Sequence, residues 1–229
     1  MSYDIEQQTA ASREMLDTRI PAKFKDIYRL LAAKQNGLEP WRTALTFDLV
    51  HSVEQNCAQL LETFGKDRLP ATAWIARNLL ELWVWGKYCG VSRENAWRFH
   101  EDALRDIKGL TEVHEEICDV TGIENETSAM AAQRIKDVAS GKLGLEDIDS
   151  KFLAVKAASK TEGVELGDQF APLYQLLSKF AHPTAGLVHG ITHQPEICQN
   201  LQAICTTHGV SFAAQSTLAI EAQLFRNQT

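Results

Sequence analysis

Trp74-Ile75-Ala76-Arg77-Asn78-Leu79-Leu80-Glu81-Leu82-Trp83-Val84-Trp85 is the most apolar stretch of the chain. A helix built from it has no side suited to continuous contact with water, the pattern of a segment enclosed by other helices. Arg77 and Glu81 stand four residues apart within it and therefore share a face. A charge withdrawn from water costs several kcal/mol unless it is paired and hydrogen-bonded, so this pair must face a partner segment or a cleft. The expected partner is Tyr174-x3-Ser178-x3-His182-Pro183, where reactive groups again repeat at helical spacing on an apolar face with Phe170, Leu173, Leu177 and Ala181.

Working outward, the chain reads as helix nearly throughout, since alternating Val/Ile/Thr runs and hairpin dipeptides between them are scarce. Leu16, Ile20, Phe24, Ile27, Tyr28 and Leu31 mark a first helix over about 4–36 that Pro21 bends or breaks and Asn36-Gly37 ends. Pro40 opens a second, reaching about Phe64, with Leu45, Leu49, Val53, Cys57, Leu60 and Phe64 as its stripe. The third, about Pro70 to Cys89, is the central one. Ser92 caps a fourth whose Trp97, Leu104, Ile107, Leu110, Ile117 and Val120 face inward, while Arg98 with Asp102 and Glu101 with Arg105 form a solvated face. Residues 122–167 are more polar and read as an insertion or lid. Asp168 caps the next helix with Pro172 in its first turn, and His182-Pro183 ends it. Residues 183–195 read as a loop, followed by one or two helices over 196–226 with a break at Gly209.

Composition bounds the function. With 45% hydrophobic and 23% charged residues, the chain has the make-up of a soluble globular protein. A net charge of −7 disfavours nucleic acid as a partner without excluding a local basic face. Five cysteines, odd in number and dispersed, read as reduced core thiols. The N-terminal residues lack the basic start and apolar run of a signal peptide, and no apolar run has the length of a membrane span. A cytoplasmic protein without membrane contact or cofactor is expected.

Arg77, Asn78, Glu81, Tyr174, Ser178 and His182 are the candidate binding or buried polar cluster. Arg77-x3-Glu81 admits three readings: an exposed salt bridge, a buried pair that fixes helix register, or a ligand or catalytic site. His182, at a helix C-terminus with Glu81 expected nearby, would favour the protonated imidazole, or else serve as a structural cap. His189-x3-His193 has two-ligand spacing, but Gly190 interrupts it and no His-Glu-x-x-His pattern exists, so no metal is assigned. Phosphate loops, nucleophile elbows and paired CxxC motifs are missing from the sequence, which argues against the common nucleotide enzymes and hydrolases.

Arg77-Asn78-Leu79-Leu80-Glu81-Leu82-Trp83 together with Tyr174-x3-Ser178-x3-His182-Pro183 resembles a bacterial family of helical proteins of unknown function, marked by Arg-x3-Glu and Ser-x3-His-Pro, over roughly Trp41 to His193. The chain also resembles the HEPN architecture, which includes RNA-cleaving toxins, whose dimers form one site from two copies, and non-catalytic relatives. Those ribonucleases carry Arg-x4-6-His, and no arginine stands at that distance before His182; Arg93-x6-His100 has the spacing by coincidence. The resemblance implies an all-α, HEPN-like single-domain bundle of about seven or eight helices. It implies a binding or regulatory protein, by analogy in bacterial stress or phage defence. A metal-independent ribonuclease using His182 and Arg77, and a non-catalytic structural partner, are the alternatives. Trp74, Trp83 and Trp85 are candidates for a homodimer face.

Overall fold

A computed structural model describes residues 5–34, 38–122, 130, 133, 152–182, 184–189 and 193–226. The described residues hold nine α-helices and no strand: α1 (Ile5–Glu14), α2 (Ile20–Lys34), α3 (Pro40–Glu62), α4 (Leu69–Val91), α5 (Arg93–Thr121), α6 (Val155–Ala158), α7 (Gly167–Ala181), α8 (Ala185–His189) and α9 (Pro195–Arg226). An all-α bundle is therefore the fold class. The chain divides into two compact units, Met1–Arg93 with Val155–Thr229, and Glu94–Ala154.

In the first unit α4 is central, packed against α3, α6, α7 and α9. Its Ala73, Ala76, Leu79, Leu80, Val84 and Cys89 are almost wholly removed from water. α9 is the longest element and runs unbroken through Gly209, where the sequence suggests a break. The glycine serves close packing instead. A Cβ there would lie 2.9 Å from Leu60 Cδ2, 3.3 Å from Ala76 Cβ and 3.5 Å from Ala76 Cα, so α9 approaches α3 and α4 nearly backbone to side-chain stub.

Pro21 neither breaks nor ends the first helical run. A π-helical turn, Met15–Arg19, joins α1 to α2, and the Ile20 amide donates to Met15 O, five residues back. The widened turn just before Pro21 eases the clash between its ring and the preceding carbonyls, and the missing amide is absorbed within one turn. The expected stop at Asn36-Gly37 lies outside the described residues.

Helix ends also differ from the sequence expectation. Leu166, without a side-chain cap bond, is the N-cap of α7; Asp168 is its second residue, placed to favour the dipole but not to cap, and Pro172 lies in the second turn. The 183–195 segment includes α8. Residues 155–166, assigned from sequence to an insertion, place α6 against α4 and α7. The remainder of that insertion, apart from 122, 130, 133 and 152–154, lies outside the described residues.

Within the second unit α5 reverses the expected polarity. Asp102 and Arg105, read as solvated, are only 6% and 5% exposed. Arg105 Nη1 donates to Asp102 Oδ1 at 2.7 Å and the Leu153 amide donates to Asp102 Oδ2 at 3.0 Å. Trp97, Leu110, Ile117 and Val120, expected to point inward, are exposed; the side chains of Leu104 and Ile107 lie outside the described residues. The buried side of α5 is the one carrying the paired and hydrogen-bonded charges, the condition under which charges tolerate burial.

All five cysteines are free, four of them buried. Burial pushes the thiols of Cys57, Cys89 and Cys205 up to about 12, which keeps them protonated and inert. No helix among the described residues is long and apolar enough to cross a membrane. Trp83 stacks on Phe212 at 5.9 Å and Trp85 meets the edge of Tyr88 at 5.9 Å, whereas Trp74 is exposed.

Gly209→Ala is expected to cost about 1–3 kcal/mol by forcing apart three packed helices, read as a lowered urea midpoint with an unchanged slope. An unchanged midpoint would mean that α9 can move away freely.

Candidate functional site: the Arg77 junction between α4 and α7

Arg77 leaves α4 on the side facing α7 and meets residues ninety-seven and 105 positions later in sequence. Its Nε donates to Glu81 Oε1 at 3.2 Å, one turn along the same helix. Its Nη1 lies 3.0 Å from His182 Nε2, and its Nη2 donates to the Tyr174 hydroxyl. The guanidinium carbon also stands 4.4 Å from the centre of the Tyr174 ring, close enough for cation–π attraction. The Arg77 and Glu81 side chains are 21% and 29% exposed, and His182 is exposed. The pair is thus half-buried at the edge of the core, neither sealed nor freely solvated.

α7 supplies its groups for local reasons. Phe170 and Leu177 are buried and anchor the helix, and the Phe170 ring lies 5.1 Å from Tyr174. His182 is the C-cap, extended at φ −113° and ψ 153°, as a residue before proline prefers. That departure from the helix turns the imidazole toward Arg77. A guanidinium has only donors, so His182 must accept through an unprotonated Nε2. The charged group that contacts the His182 ring is Arg77, and Glu81 bonds to that same arginine.

The expected cluster is brought together in part. Arg77, Glu81, Tyr174 and His182 are joined by direct contacts. Ser178 lies between Tyr174 and His182 on the same helix face, and its Oγ is buried with no hydrogen-bond partner among the described residues. A hydroxyl so placed costs about 1–3 kcal/mol unless another group satisfies it. Asn78 turns to α3, where its Nδ2 donates to Asn56 Oδ1 at 3.4 Å, so its amide bonds to α3 and not to the guanidinium. Asn56 was not legible as a partner, because a lone polar residue beside an apolar stripe has no spacing signal.

Arg93 forms a two-point pair with Glu39, at 2.6 and 2.8 Å, and lies over the Trp41 ring at 5.7 Å, which gives it a structural use. His189's side chain lies outside the described residues; among those described, no group of three metal-binding side chains is found. No family model, curated protein or solved structure matches the chain.

Burial raises the Glu81 carboxyl above its ordinary range, with the charge and hydrogen bond of Arg77 pulling the other way. A carboxyl raised in the folded state binds more protons folded than unfolded between its two pKa values, so stability falls as pH rises through that window. Glu81→Gln is therefore expected to remove a downward slope in stability that begins at about pH 4, measured as urea midpoints across the acid range. The same slope in both proteins would place the ionised carboxylate in effective contact with water.

Proposed function

We propose that this chain is a helical binding or regulatory protein whose α4–α7 junction receives an anionic group, carboxylate or phosphate, at Arg77. The observation carrying this reading is one guanidinium, 21% exposed at the edge of the core, that donates from all three nitrogens to groups on α4, on α7 and at the end of α7. Those three bonds leave one N–H on each terminal nitrogen uncommitted among the described residues, and oxyanions suit such donors better than any other ligand class. Tyr174 fixes the guanidinium from one side through its hydroxyl and ring, while Glu81 balances its charge until an anion arrives. The unpartnered Ser178 hydroxyl supplies a further donor on the same helix face. A bacterial setting is what the resemblance to the helical family of unknown function implies, a cytoplasmic one is the default reading of the sequence, and a homodimer, if formed through tryptophan, would use the exposed Trp74.

The test is a titration of the whole chain with inorganic phosphate and with acetate, at constant ionic strength, following the Arg77 side-chain Nε–H signal by NMR. A saturable shift with a Kd of about 1 mM or below is expected, removed by Arg77→Gln and weakened several-fold by Tyr174→Phe. A signal indifferent to both anions, while the protein is folded, overturns the reading.

The 3.0 Å contact of Arg77 with His182 favours a second reading, metal-independent RNA cleavage, in which the imidazole would take the 2′-hydroxyl proton and the guanidinium would stabilise the phosphorane charge. The −7 charge weighs against an RNA substrate. This reading expects RNA cleavage in excess chelator that drops by at least ~100-fold in a folded His182→Ala variant. Equal cleavage by the variant, or none by the parent, discards it.

A further inference from the structure

We propose that the groove between α2 and α3 is a binding site for a methylated ammonium cation. The site is separate from the Arg77 junction and rests on different residues. The groove has a volume of about 490 Å³ and is walled by Tyr28 and Leu31 from α2 and by Thr43, Phe47, His51 and Glu54 from α3. Three rings line it in succession: Tyr28 and Phe47 have centroids 5.5 Å apart and inclined by 46°, and His51 stacks on Phe47 at 6.1 Å. Phe47 is 48% exposed, an unusual state for a phenylalanine on a helix whose buried stripe is Leu49, Val53, Cys57 and Leu60.

The fourth wall is charged. Glu54 Oε2 accepts from the Tyr28 hydroxyl at 2.8 Å and stands 3.9 Å from His51 Nδ1. No lysine or arginine lies within ion-pair distance of Glu54 among the described residues. The other ring nitrogen, His51 Nε2, lies 2.9 Å from the Gln55 side-chain amide, which ties the ring to its own helix. Two neighbours feel this carboxylate: burial first, and then Glu54, raise both the Tyr28 phenol and the Cys57 thiol.

Aromatic faces attract cations through their quadrupole, and a tyrosine whose hydroxyl donates to a carboxylate has a more electron-rich ring. A metal ion would require several oxygen ligands, and the groove offers one carboxylate. A primary ammonium is strongly hydrated and would lose its water to walls that are mostly carbon. A methylated ammonium has a diffuse charge and an apolar surface, which matches three rings beside one carboxylate. The Tyr28–Glu54 bond also clamps α2 to α3 and so holds the walls of the groove at a fixed distance.

The full chain is titrated with choline, with tetramethylammonium and with 3,3-dimethylbutan-1-ol, the uncharged carbon analogue of choline, by NMR or calorimetry. Both cations are expected to bind saturably, and the uncharged analogue at least ~10-fold more weakly. Phe47→Ala, at an exposed ring, and Glu54→Gln, which keeps a hydrogen-bond acceptor for Tyr28, should each lower cation affinity by ~5–10-fold. A short peptide with trimethyl-lysine is run alongside: tighter binding than choline assigns the site to a modified protein, weaker binding to a free metabolite, and both keep it. Absence of saturable binding by both cations, equal affinity for the uncharged analogue, or indifference to both substitutions overturns the proposal.

Discussion

The close approach of α9 to α4 is the constraint on which the remainder of the first unit depends. Gly209 lets α9 come within contact of Ala76, and a Cβ at Gly86 would already stand 3.4 Å from Ile220 and 3.5 Å from Ala219. Small residues on both helices bring the backbones together, and a helix held this way has its apolar perimeter covered on most sides. α3 and α6 take further sides of α4, and α7 takes the one from which Arg77 and Glu81 emerge. The charges stand where they do because the other faces of α4 are occupied by atoms that cannot solvate them.

That placement dictates the junction's chemistry. Arginine cannot shed its proton, so at the rim of an apolar core it must gather acceptors. Glu81 is the local one, available at helical spacing. Tyr174 and His182 come from α7, which is positioned by buried Phe170 and Leu177 and released at its end by the residue before Pro183. Each partner answers a different part of the guanidinium: a carboxylate for charge, a hydroxyl and ring for one face, an imidazole nitrogen for a terminal N–H. Replacing the arginine with lysine would keep the charge and lose this division, since a point cation has no planar fork.

The helical periodicity of Leu49, Val53, Cys57 and Leu60, and the all-round apolar character of 74–85, were enough to give the helices and the central position of α4, because a repeating pattern averages over many residues. The Arg77–Tyr174–His182 meeting was also legible, since charged and reactive groups on apolar faces have few places to go. Three things were hidden. Gly209 reads as a break from sequence, and only the neighbour across the interface reveals it as a contact. On α5 the stripe and the charges are equally periodic, so the pattern locates two faces without saying which is buried; Asp102 was decided by an amide fifty-one residues away. The Tyr28–Phe47–His51 groove combines two helices at a level that depends on how they are offset, which spacing within either helix does not encode.

The wide turn at Met15–Arg19 has a consequence for how the N-terminal run can vary. One additional residue in a turn advances the helix phase by about 100°, so side chains before and after it follow independent stripes. Leu16, inside the turn, and Ile20, Phe24 and Ile27, beyond it, are all buried, so the turn keeps the apolar side of the run against the core. The segment upstream is thereby uncoupled in register from the one that lines the groove with α3. The residues of α1 take their phase from one side of this turn and Tyr28 takes its phase from the other.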